Sequence, residues 1–356
     1  MSRRVDPKTL ERLASDLLVA AGVPREDADI TAYCLVKTDL RGTESHGIAR
    51  LSYYYLHRVR AGIINPTPRP RIVSEGPTTL VIDGDNGLGQ PVGYRTMQRC
   101  LDKAKEAGVC CAAVRHSNHF GAAGIYAMMA LERDMIGMAL TNSQPLVIPT
   151  YGRKRVIGTN PICLAAPAAS ERPFLLDMAT SVVPIGKIEV YQRRGDPVPS
   201  AWGADSDGNP TTDPDRIMEG GGLFPLGGPA ETGGYKGYGL GAMVDILCGV
   251  LSGAAFLTRV LAPSLDQPRP SSVGHFFLAL DIARFRPIEE FKRDMDVFIK
   301  ELKESPKAAG RDRIYIAGEK EYLEEQERER LGLPLNPKVE EDLRGLCREL
   351  QVEWPF

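Results

Sequence analysis

Nine residues divide this chain into two kinds of pattern. Ile64–Ile72 reads INPTPRPRI, and prolines at 66, 68 and 70 forbid either a helix interior or a central strand there. Everything before it is helical in period; strand signals begin after it. Asp6 and Pro7 supply an N-cap and a first-turn proline, and Leu10, Leu13, Leu17 and Leu18 recur at helical spacing until Gly22. A second helix is predicted from Pro24 to about Arg41, and a third from near Ser45 to about Arg60. Beyond the boundary, Thr78–Gly89 (TTLVIDGDNGLG) is a strand entering a glycine-rich turn, with a helix from about Pro91 to Ala107. Gly87 and Gly89 invite comparison with the fingerprint of a Rossmann fold. The third glycine, Gly93, comes one residue too late, and the next strand, Val109–Arg115, does not end in the acid that holds a ribose. The Rossmann reading is therefore rejected, and Asp83–Gly87 is taken as a turn.

Strands are further expected at Met135–Leu140, Ile162–Ala166, Phe174–Asp177 and His275–Asp281. Asp177–Ser181 should open a helix that carries Lys187, and Gly233–Leu251 should form a buried helix lined with Gly and Ala. Pro287–Leu302 and Glu319–Leu331 read as charged amphipathic helices. The stretch 195–234 is rich in Gly, Pro, Asp and Thr without periodicity, a pattern commoner in a functional surface than in a linker.

With 356 residues, 43% hydrophobic and 25% charged, the chain can build two or three cores. A net charge of −2 with no dense Lys/Arg run argues against a nucleic-acid partner. Seven cysteines, an odd number without a CxxC, do not fit a disulfide framework and read as reduced thiols. No apolar segment follows MSRRVDPKTLERL, so no secretory signal is expected. The longest apolar run, Ile246–Thr258, is too short to cross a bilayer. A cytoplasmic protein without a membrane partner is the expectation.

Chemistry concentrates in KTDLRGTESHGIARLSYY (Lys37–Tyr54). On a helix, His46, Arg50 and Tyr54 fall at i, i+4 and i+8 and share one face. An imidazole over a carbonyl oxygen and a guanidinium on the neighbouring carboxylate, one turn apart, would suit a small 2-oxo or 2-hydroxy acid. On spacing alone an ordinary solvated face with Tyr54 half buried is the commoner arrangement, because isolated i, i+4 pairs are frequent. His116 and His119, at i and i+3, lack a third metal ligand nearby, so the metal assignment is "none" and a metal-dependent hydrolase or lyase is the alternative. His119 precedes a small-residue helix start, Gly121–Gly124, where a backbone can approach another molecule closely. Lys236 between glycines is either a phosphate contact or a solvated turn lysine, and Asp177 either a helix cap or a sugar contact.

DLRGTESHGIAR (Asp39–Arg50), NHFGAAGIY (Asn118–Tyr126), TNSQPLVIP (Thr141–Pro149), IGTNPICLAAP (Ile157–Pro167), LDMATS (Leu176–Ser181) and KGYGL (Lys236–Leu240) occur in this order. Together they resemble the malate/L-lactate dehydrogenase-like family, which includes sulfolactate, ureidoglycolate and diketogulonate enzymes and is distinct from the Rossmann lactate dehydrogenases. The resemblance implies a homodimer with a mixed α/β domain, non-Rossmann, that binds NAD or NADP. It also implies a helical domain built from both chain ends. On this chain that gives 1–72 joined by 287–356 as the helical domain and 73–286 as the cofactor domain. It further implies that His46 is the acid/base, helped by Ser45, while Arg50 anchors the carboxylate and Tyr54 and Thr159 line the substrate pocket. His119, Ser143, Asp177, Met178, Ala179 and Lys236 match cofactor contacts, and His119 is the second candidate for the acid/base. Lys187, at a substrate-side position, stands where imine-reducing members carry Asp, which favours a 2-oxo acid. IYIAGEKE (Ile314–Glu321) replaces the usual proline-glycine turn, and Ala255–Pro270 departs from the family pattern. The expected reaction is reversible hydride transfer at C2 of a small 2-hydroxy carboxylate, with a non-catalytic dimeric binding module as a further alternative.

Overall fold

Asp6 closes a short strand, β1 (Arg3–Val5), and its carboxylate accepts the Thr9 N–H at 2.8 Å, so that α1 (Pro7–Ala20) starts as expected. The computed structural model describes residues 3–262 and 268–356. After α2 (Arg25–Leu40) comes the first departure: no continuous helix runs from Ser45 to Arg60. Residues 44–46 and 48–50 form two separate 3₁₀ turns, and Leu51–Leu56 follows with the wider π spacing before α3 (His57–Arg60). The break is Gly47, whose ψ of −146° no helix contains.

The proline stretch then leads to β2 (Arg71–Glu75) and β3 (Thr79–Asp83), followed by α4 (Gly89–Ala107) and β4 (Val109–Ser117). Gly108, at φ +90°, ends α4 in the left-handed region that suits glycine. Next come α5 (Gly124–Met128), β5 (Met135–Thr141), β6 (Ile162–Ala166) and β7 (Phe174–Met178). The helix carrying Lys187, α6 (Ile185–Arg194), begins later than expected because Pro184 sits at its N-cap. The irregular stretch holds only the short β8 (Gly203–Ala204), α7 (Pro214–Met218) and β9 (Gly222–Leu223). The last elements are α8 (Gly234–Asp245), β10 (Val273–Asp281), α9 (Ile288–Glu304), α10 (Glu319–Leu331), β11 (Leu333–Leu335) and α11 (Pro337–Leu350). Of the divergent Ala255–Pro270 segment, 263–267 lie outside the described residues.

The main sheet runs β2-β3-β4-β10-β5-β6-β7, and only β3 and β4 are parallel. A doubly wound fold needs successive parallel crossovers, so the rejection of the Rossmann reading holds. β10 enters late and takes the centre, antiparallel to both β4 and β5. Its residues, GHFFLALD after Val273, are almost all buried, as a strand covered on both faces requires. One core packs α4 and α5 on this sheet around Phe120, Tyr126 and Phe277. A second joins Leu10, Leu17, Leu35, Leu51 and Tyr55 to Leu333, Leu335, Leu343 and Leu346. β1 pairs antiparallel with β11 at its edge.

α8 is less buried than expected. Gly237 and Gly241 face inward, and a Cβ on Gly237 would meet the Leu226 carbonyl oxygen at 2.2 Å. The opposite face leaves Tyr235 and Met243 exposed, and the π turn that continues the helix, Ile246–Val250, leaves Ile246, Val250 and the following Leu251 exposed. Among the described residues no helix is long and apolar enough to cross a membrane.

Candidate active site

Although the expected helix is broken, its three residues still converge with His119. The His46 and His119 rings stack with centroids 5.4 Å apart and planes 19° apart. The Tyr54 ring lies 5.1 Å from His119, and the Arg50 guanidinium is 6.0 Å from the Tyr54 ring centre. Arg50 Nε donates to the Ser45 carbonyl at 2.6 Å, and its Nη1 donates to the Tyr53 hydroxyl. The expected Ser45–His46 pairing is present, with Oγ 2.9 Å from Nδ1.

Sequence reasoning missed Tyr55. Fully buried, it brings its hydroxyl to 2.6 Å from His119 Nδ1. The Gly121 N–H also points at that nitrogen, at 3.2 Å. A backbone N–H can only donate, so Nδ1 is the acceptor and the ring proton sits on Nε2. Burial pushes His119 well below the usual histidine range, with His46 and Arg50 adding to the effect. His46 is pushed down to about 4, first by burial and then by the Arg50 charge. Both rings are therefore neutral near pH 7, well clear of the value of about 6.5 at which an unperturbed imidazole titrates.

Beside this pair opens a cavity of about 510 Å³ lined by Ser45, His46, Gly121–Ile125, Thr159, Leu175–Ala179 and residues 315–318. That volume falls within the usual range for small-molecule and cofactor sites, about 300–1,000 Å³. Asp177 on β7 accepts the Gly124 N–H at 2.7 Å. The surrounding protein raises its pKa to about 6, against the lowering effects of that N–H and of Arg41, although the carboxylate remains open to the cleft. A Cβ on Gly124 would come within 2.9 Å of Asp177 Oδ2, so glycine is what allows β7 and α5 to meet here. The segment before α10 was a second omission. Ala317 accepts the Leu175 N–H at 3.1 Å, which brings Tyr315–Gly318 along the edge of β7 and into the cavity wall. Its one sequence signal was Gly318, which adopts φ +86° against Leu175.

Thr159 lines the cavity, and its N–H donates to Ser143 Oγ at 3.0 Å. Below them Asp245 of α8 accepts from Asn142 and Asn160 Nδ2 at 3.0 and 2.9 Å, fixing both loops. Met178 and Ala179 are in the wall; Lys187 and Lys236 are not. The Lys187 ammonium lies 4.5 Å over the Trp202 ring, and Lys236 is exposed in the first turn of α8. His116 turns away from His119 to the Asp83 carboxylate, at 3.1 Å. Among the described residues no group of three or more His, Cys, Asp or Glu side chains gathers as a metal site would require.

A family model described as malate/L-lactate dehydrogenase matches residues 5–344. The chain belongs to that family. The dehydrogenase is 49% identical over 338 residues to malate dehydrogenase of Pyrococcus horikoshii, covering 95% of this chain and 92% of that one. It is 40% identical over 344 residues to L-sulfolactate dehydrogenase of Methanocaldococcus jannaschii, covering 97% and 96%. The crystal structure of malate dehydrogenase from Entamoeba histolytica superposes with a TM-score of 0.95 at 36% identity and covers all of both chains. Nicotinamide cofactors serve this family. The small-residue run Gly121–Gly124, bare of side-chain bulk along the cavity, and the open carboxylate of Asp177 fit such a ligand.

Proposed function

We propose that this chain oxidises a small 2-hydroxy acid to its 2-oxo acid, and catalyses the reverse, with His46 as acid/base and Arg50 as carboxylate anchor. The observation that carries the assignment is the stacked His46–His119 pair, with the Arg50 charge acting on both rings, beside the cavity that His46 lines. In oxidation the alcohol loses a proton from oxygen and a hydride from C2; the nicotinamide, when bound, supplies the hydride acceptor. Neutral His46 takes the proton, with Ser45 orienting its ring. Arg50 holds the carboxylate so that the hydroxyl faces the imidazole. A bound carboxylate offsets the Arg50 charge, which makes His46 more basic in the complex than in the free enzyme. His119, whose Nδ1 is committed to Tyr55 and Gly121, keeps its Nε2–H to donate to the developing oxyanion.

Asp177, Met178, Ala179 and the Gly121–Gly124 run hold the cofactor, either NAD or NADP, with Ser143 acting through Thr159. Lys187 and Lys236 drop out of this assignment for the single chain, since their side chains are engaged elsewhere or exposed. Malate-like or sulfolactate-like acids are the favoured substrates, on the strength of the relatives named above. The division into a helical unit and a cofactor unit is supported by the two separate cores. The apolar outer face of α8 and of the π turn that follows it supports a homodimer, and seven free cysteines support a cytoplasmic setting.

His46→Ala should lower turnover by about 10²–10⁴-fold while cofactor affinity stays near its original value. If turnover survives in that variant and collapses in His119→Ala, the two histidines exchange roles.

A further inference from the structure

His46 lies on no regular helix, so its position depends on whatever holds residues 44–50. From below, the buried Asp39 carboxylate accepts the Ile48 N–H on Oδ2 at 2.9 Å. Its other oxygen occupies the space where a side chain at Gly47 would begin, 1.7 Å from an ideal Cβ. From the side, Arg328 of α10, also buried, donates Nη1 to the Asp39 carbonyl at 2.8 Å. Its Nη2 meets Glu44 Oε1 at 2.8 Å and its Nε meets Glu324 at 2.6 Å. One guanidinium thus ties the end of α2 to the first residue of the broken turn, and one carboxylate ties α2 to the far side of Gly47. Neither residue lines the cavity, whereas Thr43, Ser45 and His46 between them do.

We infer that Asp39 and Arg328 are positioning residues that fix the His46 turn. The inference rests on the acid/base reading of His46. Without the Asp39 carboxylate, a buried N–H loses its acceptor and the turn loses the group packed against Gly47. Without the Arg328 guanidinium, Glu44 and the Asp39 carbonyl lose their shared donor. A displacement of about 1 Å in a reacting group costs up to about 10²-fold in rate, so the effect should appear in kcat. Cofactor binding, made on β7 and α5, should not change.

The test compares Asp39→Ala, Asp39→Asn and Arg328→Met with the parent and with His46→Ala. Read out are kcat and KM for the preferred 2-oxo acid, the Kd of NADH and of NADPH, and the melting temperature. Expected are a fall in kcat of about 10–100-fold for Asp39→Ala and Arg328→Met at unchanged cofactor Kd, with most activity kept in Asp39→Asn, which retains the oxygen acceptor. The double variant Asp39→Ala/His46→Ala should be no slower than His46→Ala alone, since a misplaced base and a missing one are the same defect. If His46→Ala lowers kcat but both positioning variants stay within about threefold of the parent, the inference is overturned. Additive losses in the double variant, or cofactor Kd rising in step with falling kcat, also overturn it, because they mark a general loss of integrity. Should Asp39→Ala fail to fold, Arg328→Met, Arg328→Met/His46→Ala and Asp39→Asn decide on the same readouts. A His46→Ala enzyme that turns over normally would instead remove the acid/base reading itself.

Discussion

The sharpest quantitative consequence of the site concerns proton uptake by His46. With an ordinary pKa of about 6.5, only about 3% of the imidazole would be neutral at pH 5. At the value of about 4 set by burial and Arg50, about 90% is neutral at that pH. Oxidation of a hydroxy acid needs the neutral form, so kcat/KM in that direction should remain high to pH 5 and fall only below it. With cofactor saturating at every pH, the profile of kcat/KM for the acid reports the enzyme before the acid binds, and the Asp177 titration near 6 does not enter it. The assay follows reduced cofactor by absorbance from pH 4 to 9, with a melting curve at each pH to exclude acid unfolding. Arg50→Gln should move the acid limb upward, yet leave it below 6.5, since burial is the larger cause and Arg50 the smaller. A limb centred near 6.5 in the parent enzyme would refute the argument, because it would mean that water reaches the ring freely. Stability carries the same sign. A histidine depressed in the folded state binds its proton first in the unfolded chain, so His46 weakens the fold as pH falls from about 6.5 toward 4.

Four further outcomes are expected. Arg50→Lys should raise KM for 2-oxo acids about tenfold, since an ammonium cannot match the two-pronged guanidinium; an equal loss with a neutral carbonyl substrate would speak against the clamp. Asp177→Ala should raise the cofactor Kd about tenfold at little cost in kcat, and cofactor binding by the parent should weaken as pH falls through about 6, both measurable by titration calorimetry. Phe277→Ala, at the middle of the central strand and fully buried, should cost about 3–5 kcal/mol in urea unfolding. Ile246→Glu, on the exposed apolar face of the π turn after α8, should shift sedimentation toward the monomer; unchanged sedimentation would move the dimer contact elsewhere.

Local chemistry made much of the fold readable in advance. Asp6 with Pro7, the leucine spacing of α1 and Gly22 after it are signals carried within a few residues of what they specify. The glycine spacing at 87, 89 and 93, with no acid at the end of Val109–Arg115, led to the rejection of a Rossmann fold. The central position of β10 was not readable, because its partners β4 and β5 lie far back in the chain. Neither was the break at Gly47. Glycine is tolerated in a helix, and the demand for its particular backbone comes from Asp39, a tertiary neighbour. At the site, His46, His119 and Asp177 stood out by spacing and neighbours, and their roles came from the resemblance. Tyr55 and the 315–318 segment were missed because they act through a buried hydroxyl and through irregular chain laid along a sheet edge.

The pairing of β1 with β11 has a consequence for how the enzyme comes into being. Arg4 bonds the Gly332 carbonyl across 328 positions of sequence. During synthesis the leucine face of α1 and α2 therefore has only its early partners, such as Leu51 and Tyr55, until Leu333, Leu335, Leu343 and Leu346 have been made. Arg328 arrives equally late, so the proton-handling loop is among the last parts to reach working order. A nascent chain interrupted before residue 328 would carry every motif of the cofactor cleft while lacking the clamp beside its histidine.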